Sequence, residues 1–301
     1  MHILITGGTG FIGSHLCRHF LRQGQNNQVT VLTRNVQQKL VPPLPVRLID
    51  SLDESELPYD LIINLAGAPL NKHRWNKKIK QTLYDSRLNT TQKIAQYIQT
   101  ASIKPKLLIS GSAIGFYGSS QSAVFIESSP PADTGFTHHL CDDWEKAAMA
   151  VSSYGTRVCT IRTGVVLGKG GGLLAAVSSA YKWGLGAQLG SGTQWLSWIH
   201  MDDLIGMIDH LIHDPTLEGP FNLTSAHPST NAVFTQTLAK TLNRPCFLTL
   251  PAIFVRLIFG EMGETLLLQG QKVIPDKLIK AGYVFKFPYL DKALENILSR
   301  F

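Results

Sequence analysis

Three features of the 301-residue sequence predict a doubly wound parallel α/β sheet with a smaller C-terminal lobe. A short apolar run at the amino terminus breaks into spaced glycines and re-emerges as a helix. Strand-like apolar runs then recur between helical patterns, and beyond Gly168 glycines and prolines change the texture. Such alternation implies parallel strands with helices on both faces of the sheet.

Ile3, Leu4 and Ile5 read as the first buried strand, and His15 to Gln23, with Gly24 behind it, as the first helix and its stop. Between them Gly7, Gly10 and Gly13 stand three apart. In this arrangement the first glycine permits a tight turn, the second lets backbone approach a pyrophosphate, and the third lets helix pack on strand. The helix N-terminus offers free N–H groups and a partial positive charge to the diphosphate. A glycine triplet alone also serves ordinary turns; the flanking strand and helix make this one a dinucleotide cradle of the Rossmann type. Gly7, Gly10, Phe11, Ile12 and Gly13 are its expected cofactor-binding residues.

Strand two, Gln28 to Thr33, ends at Arg34, twenty-one residues after Gly13. An acid near this point bonds the ribose 2′-hydroxyl of NAD, whereas an arginine accommodates the 2′-phosphate of NADP. No acid stands there. A charged Arg–phosphate hydrogen bond contributes about 1.5–3 kcal/mol, or about ten- to a hundred-fold in affinity. NADP is therefore the expected cofactor, with Thr33 and Arg34 at its adenosine end; the alternative is a solvated surface arginine.

Further strands are expected at Arg47–Ile49, Leu61–Leu65, Lys106–Ser110 and Arg157–Arg162. Strand four runs out through Asn64, Leu65, Ala66, Gly67 and Ala68, whose small residues allow a ribose or diphosphate to lie against backbone. Leu88 to Ala101 has a helical period of apolar residues and so packs one face on the sheet. The expected organisation is an NADP-binding domain over residues 1–220 and a substrate lobe over 221–301, laid on the carboxyl ends of the strands.

Apolar content of 44% and charged content of 16% describe an ordinary folded enzyme-sized chain. No apolar run reaches membrane-span length, and Met1 leads straight into strand one, so a cytoplasmic protein without a signal peptide or membrane contact is expected. Cys17, Cys141, Cys159 and Cys246 lack CxxC spacing, which indicates neither a zinc site nor a disulfide framework; no metal is expected. The net charge of +7 is densest at Lys72, Arg74, Lys77, Lys78 and Lys80 around Trp75. This is taken as a solvated face rather than a nucleic-acid site. A small-molecule substrate is the expected partner, and a homodimer stays open.

Strand five ends in Ser110-Gly111-Ser112-Ala113-Ile114-Gly115-Phe116-Tyr117-Gly118. Here the chain resembles the extended short-chain dehydrogenases/reductases, the group containing sugar-nucleotide epimerases, dehydratases and reductases. The resemblance implies that Ser112 helps hold a substrate oxygen near the nicotinamide. The same group draws its proton from a tyrosine followed four residues later by a lysine, one helical turn away. None of the eight tyrosines has that partner, and the natural alignment puts Cys141 and Glu145 in the two places.

The chain resembles the atypical extended branch known as NAD(P)-dependent epimerase family proteins, of the sugar-nucleotide-epimerase and cell-division-inhibitor-like type, over nearly its whole length. Its marks are Asn64-Leu65-Ala66-Gly67, Arg74-Trp75, Asp85-Ser86-Arg87, Trp144-Glu145 and Arg162 to Gly168. Others are Gly190 to Gln194, Ser197 to His200, Asn222-Leu223 and Gln271 to Pro275. The resemblance implies that Arg87 faces the cofactor and holds a carboxylate, a phosphate or the cofactor itself, against the alternative of a helix-surface arginine. Val165 and Val166 would line the nicotinamide edge. His200 either points into the cleft or is structural, and Glu145 is either a base or a helix-face carboxylate. The expected function is an NADP(H)-binding oxidoreductase or epimerase-like enzyme acting on a nucleotide-sugar or other small polar substrate. The alternative is a non-catalytic NADP-dependent sensor or scaffold linked to cell division.

Overall fold

The computed structural model describes residues 1–24, 26–37, 43–54 and 58–299. Its centre is a sheet of seven parallel strands: β1 His2–Thr6, β2 Gln28–Leu32, β3 Arg47–Ile49, β4 Leu61–Asn64, β5 Leu107–Ala113, β6 Arg157–Thr163 and β7 Gly219–Leu223. The order is β7-β6-β5-β4-β1-β2-β3. Chain direction across the sheet reverses beside β1, so the connections leaving β1 and β4 diverge and open a crevice at the strands' carboxyl ends.

Ile3, Leu4 and Ile5 are all fully buried because both faces of the sheet are covered. Successive side chains point to opposite faces. Ile3 and Ile5 meet Leu16 and Phe20 of helix α1, Phe11–Gln23, in one core. Leu4 joins Ile94 and Ile98 of α2, Lys77–Thr100, and Ala148 of α3, Phe136–Met149, in the other. Helix α1 starts four residues before the expected His15, because the glycine turn enters the helix directly at its N-cap Gly10. Helix α2 starts well before Leu88, where the Asn76 side chain accepts from the Ile79 amide at 2.9 Å and fixes the start.

The smaller lobe draws on residues before β7 as well as after it. Strand Val165–Leu167 pairs with Trp198–His200, and Ala187–Leu189 with Leu248–Leu250. Helices α4, Gly172–Lys182, and α6, Asn231–Thr241, share a core with helix Leu290–Leu298 through Tyr181, Phe234 and Leu294. Between them α5, Met201–His213, returns to the main sheet. The boundary expected at 220 falls inside β7.

The basic stretch is exposed at Lys72, Arg74, Lys77 and Lys78, but its tryptophan is not. Trp75 is buried, donates to the Leu70 carbonyl at 2.9 Å and meets Phe136 edge-on. No described helix is long and apolar enough to cross a membrane.

Candidate functional site

The turn after β1 is built by three glycines with different duties. Gly7 has a φ of 70°, and a Cβ on it would lie 2.7 Å from the Leu65 carbonyl oxygen. A Cβ on Gly13 would lie 2.3 Å from the Gly7 carbonyl oxygen, so helix α1 could not close on the turn. Gly10 donates to the Gly7 carbonyl at 2.9 Å and is otherwise open. No side chain caps α1, and the amides of Phe11, Ile12 and Gly13 have no intrahelical acceptor. These amides edge a cleft of about 850 Å³, and together with the helix dipole they suit a diphosphate. Phe11 closes the rim: a Cβ on Gly171 or Gly172 would sit 2.3 or 3.0 Å from its ring, so these two glycines give the ring its seat.

Under the cleft floor, Asn64 of β4 joins β1, β5 and helix α2. Its Oδ1 accepts from Thr6 at 2.7 Å, and its Nδ2 donates to Thr91 at 2.8 Å and Ser110 at 3.3 Å. Trp144 donates to the same Thr91 at 3.0 Å and packs against β5, where a Cβ on Gly111 would strike its ring at 2.6 Å.

Arg87 is buried at the cleft wall. Its guanidinium donates to the Leu83 and Ala68 carbonyls at 2.9 and 3.2 Å and stands 5.3 Å from the Trp144 ring centroid. Gly67 leaves room for it, since a Cβ there would come within 2.9 Å of Cζ. No carboxylate of the described residues forms an ion pair with it, and burial lowers its pKa. A desolvated cation facing a cleft without a counter-ion is suited to an anionic ligand.

Ser112, near the end of β5, donates to Glu145 Oε1 at 2.6 Å. Glu145 is gripped bidentately by Arg162, Nε and Nη2 each at 2.8 Å, and both side chains are 10% exposed or less. Arg162 is Ser112's register partner on β6. It also donates to the Tyr117 hydroxyl at 2.9 Å and the Glu127 carbonyl at 3.2 Å, with its guanidinium 3.5 Å from the Phe116 ring centroid. Burial acts to lower the Arg162 pKa, but Glu145 and Tyr117 outweigh it and the net shift is upward. Cys141 lines the cleft beside Ser112, and its thiol is pushed up to about 11, by burial first and Glu145 second.

The structure brings Gly7, Gly10, Phe11, Ile12, Gly13, Leu65, Gly67, Arg87, Ser112 and Val165 to one cleft. Thr33, Arg34 and Ala66 do not line it. Thr33 donates its amide to the Ile49 carbonyl at 2.8 Å, Arg34 is exposed beyond the end of β2, and the Ala66 amide bonds Thr6 Oγ1 at 3.1 Å. His200 is structural: it is buried, accepts from the Asp202 amide at 3.0 Å to cap α5, and lies tilted against Phe287 with ring centroids 4.0 Å apart. Glu145 is neither a free base nor a surface carboxylate but the inner anchor of Ser112. Sequence reasoning missed that anchor, although an arginine in the middle of an apolar central strand signals a buried acid. It also missed Tyr181 and Phe234, which reach the cleft from the smaller lobe.

Comparison with known proteins gives a consistent picture. Residues 3–223 match the NAD dependent epimerase/dehydratase family, and residues 250–297 a domain of unknown function (DUF1731). The chain is 37% identical to the epimerase family protein YfhF of Bacillus subtilis, covering 99% of this chain and 98% of YfhF. It is 37% identical to the human epimerase family protein SDR39U1, covering 99% and 100%. The crystal structure of human SDR39U1 (isoform 2) with NADPH superposes with a TM-score of 0.91 at 36% identity, both chains fully covered. A nucleoside-diphosphate sugar epimerase from Corynebacterium glutamicum superposes with a TM-score of 0.78 at 28% identity, covering all of this chain and 58% of that one.

Proposed function

The chain belongs to the NAD dependent epimerase/dehydratase family, in its atypical extended short-chain dehydrogenase/reductase branch, and from that premise we propose that it is an NADP(H)-dependent oxidoreductase or epimerase-like enzyme. When bound, NADP(H) supplies or accepts a hydride. One observation carries the proposal: Gly7, Gly10 and Gly13 of the cradle, Leu65 and Gly67 at the β4 exit, and Ser112 at the end of β5 line a single cleft. The open amides of α1 receive the diphosphate, and Arg34, exposed just beyond the carboxyl end of β2, is assigned to the 2′-phosphate on its chemistry. The NADPH found with human SDR39U1 supports the same choice.

Ser112 orients the reacting oxygen. Its proton is directed at Glu145, so its oxygen lone pairs are free to accept from a substrate hydroxyl. Glu145 in turn is fixed by Arg162, which holds the serine hydroxyl in one orientation rather than letting it rotate toward the backbone. Arg87 anchors an anionic group of cofactor or substrate. Cys141 is protonated at neutral pH and too weak an acid to replace a phenol–lysine pair.

That last point favours a second reading, a non-catalytic NADP-dependent sensor or scaffold. Titration of cofactor-stripped protein with NADPH, followed by calorimetry, tests what the two share: a saturable single site is expected, and no heat with either NADPH or NADP⁺ overturns both. Oxidation of bound NADPH on addition of a metabolite pool selects the enzyme. Cofactor-dependent capture of a protein partner without turnover selects the sensor.

A further inference from the structure

Beyond Ser112 the cleft changes character. Val177 and Tyr181 of α4, Phe234 of α6, and Leu189, Leu196 and Leu267 line its far half. Val177, Tyr181, Leu196 and Phe234 belong to one apolar cluster. Most polar side chains on that wall are turned to the protein itself; Thr265 and Gln269 also line it, and neither carries a charge. Gln194 donates to the Leu189 and Leu267 carbonyls at 3.1 and 2.9 Å, and Asn231 Oδ1 accepts from the Leu189 amide at 2.9 Å. Ser197 donates to the Gln271 carbonyl at 2.8 Å and accepts from the Val273 amide at 2.9 Å. Tyr181 and Thr235 line the same wall, and burial raises the Tyr181 pKa. Trp195 and Gln271 donate to the Gln121 and Ile114 carbonyls at 2.9 and 2.8 Å.

Charge is distributed in the same sense. Arg87 is the one cation among the described residues lining the cleft, and it lies at the cofactor end beside Ala68. The two lining acids are both engaged, Asp133 by the Ser119 and Gly135 amides and Glu261 by Lys80. A nucleoside diphosphate carried into this half would leave water for a wall of hydrocarbon and uncharged, mostly hydrogen-bonded groups, with no guanidinium or ammonium to receive its phosphates. A hydrocarbon body loses nothing there, and a hydroxyl at its end can donate to Ser112 Oγ, whose own proton goes to Glu145.

We propose that the half of the cleft beyond Ser112 binds an alcohol by an apolar body, and is not a nucleoside-diphosphate-sugar site. The proposal rests on the cofactor reading above for its account of which end the dinucleotide fills. It extends that reading by fixing the chemical class of the second ligand.

The test is calorimetric titration of NADPH-loaded protein, which cannot oxidise an alcohol, with the series 2-butanol to 2-octanol and with UDP-glucose. Each added methylene is expected to tighten binding about fourfold until the cavity is full, with no saturable heat from UDP-glucose. Val177→Asp is expected to flatten the series while the Kd for NADPH stays within about twofold, which shows that the variant is folded. A flat series in the unaltered protein, or UDP-glucose binding as tightly as 2-octanol, overturns the proposal. Failure of NADPH itself to bind overturns the cofactor reading instead. In that event the same alcohol series on cofactor-free protein still reads the apolar half.

Discussion

Replacing Glu145 by glutamine tests how Ser112 is held. The carboxylate takes two charge-assisted bonds from Arg162 at 2.8 Å and one from Ser112 at 2.6 Å, in a place where both charged side chains are almost wholly desolvated. Glutamine keeps the shape and one acceptor but turns an NH2 group toward donors, leaving the guanidinium buried and uncompensated. Losing one member of such a pair costs about 3–5 kcal/mol. Arg162 retains Tyr117, the Glu127 carbonyl and the Phe116 face, so the lower end, about 3 kcal/mol, is expected. Urea unfolding of cofactor-free Glu145→Gln, Arg162→Met and the double variant measures it. The double variant should lose less than the sum of the singles by about 2 kcal/mol, because removing both charges leaves neither stranded. Single losses below about 1 kcal/mol that simply add would refute the reasoning, and with it the view that this pair positions the serine.

Four further outcomes are expected. Arg34→Asp should weaken NADPH binding about ten- to a hundred-fold and NADH binding far less; equal losses in paired titrations would remove the 2′-phosphate from Arg34. Gly13→Ala drives a Cβ into the Gly7 backbone and should cost about 1–3 kcal/mol of stability together with NADPH affinity, both measured on one sample. Arg87→Met removes a buried charge that has no carboxylate partner among the described residues, so cofactor-free stability should hold within about 1 kcal/mol while ligand affinity falls; a large stability loss with unchanged affinity would make Arg87 structural. Burial pushes the Cys159 thiol up to about 11 from 9.0, so the unfolded chain loses this proton first and stability falls as pH rises from 9 to 11. The loss at pH 10 is about 1.4 kcal/mol, and denaturation of Cys159→Ala at pH 8 and 10 should show a dependence flatter by that amount.

Elements announced by local chemistry were legible in the sequence, and elements fixed by distant partners were not. The glycines at 7, 10 and 13 declare themselves because the positive φ at Gly7 and the approach of Gly10 and Gly13 to the Gly7 carbonyl are backbone requirements within a few residues. Ile3 to Ile5 could be assigned to a strand covered on both faces because every one of them is apolar. The start of α2 was missed for the opposite reason. Its first turn is lysine-rich with a low apolar period, and only the Asn76 cap marks it. Ser112 could be singled out from its own segment, but its orientation depends on residues 33 and 50 positions further on, Glu145 and Arg162, each ambiguous alone. The substrate half was least legible, because Tyr181, Phe234 and Leu267 come from three segments of a lobe that shows no repeated pattern. Even there a trace exists: Arg162 stands among Val158, Cys159 and Ile161 in a central strand, where a charge survives only if something equally buried opposes it. Searching the sequence for that opposing acid leads to the carboxylates of the Leu140 to Ala147 helix, the segment from which the usual catalytic pair is missing. Where the family's tyrosine and lysine would stand, this chain has a thiol and the acid that locks its serine in place.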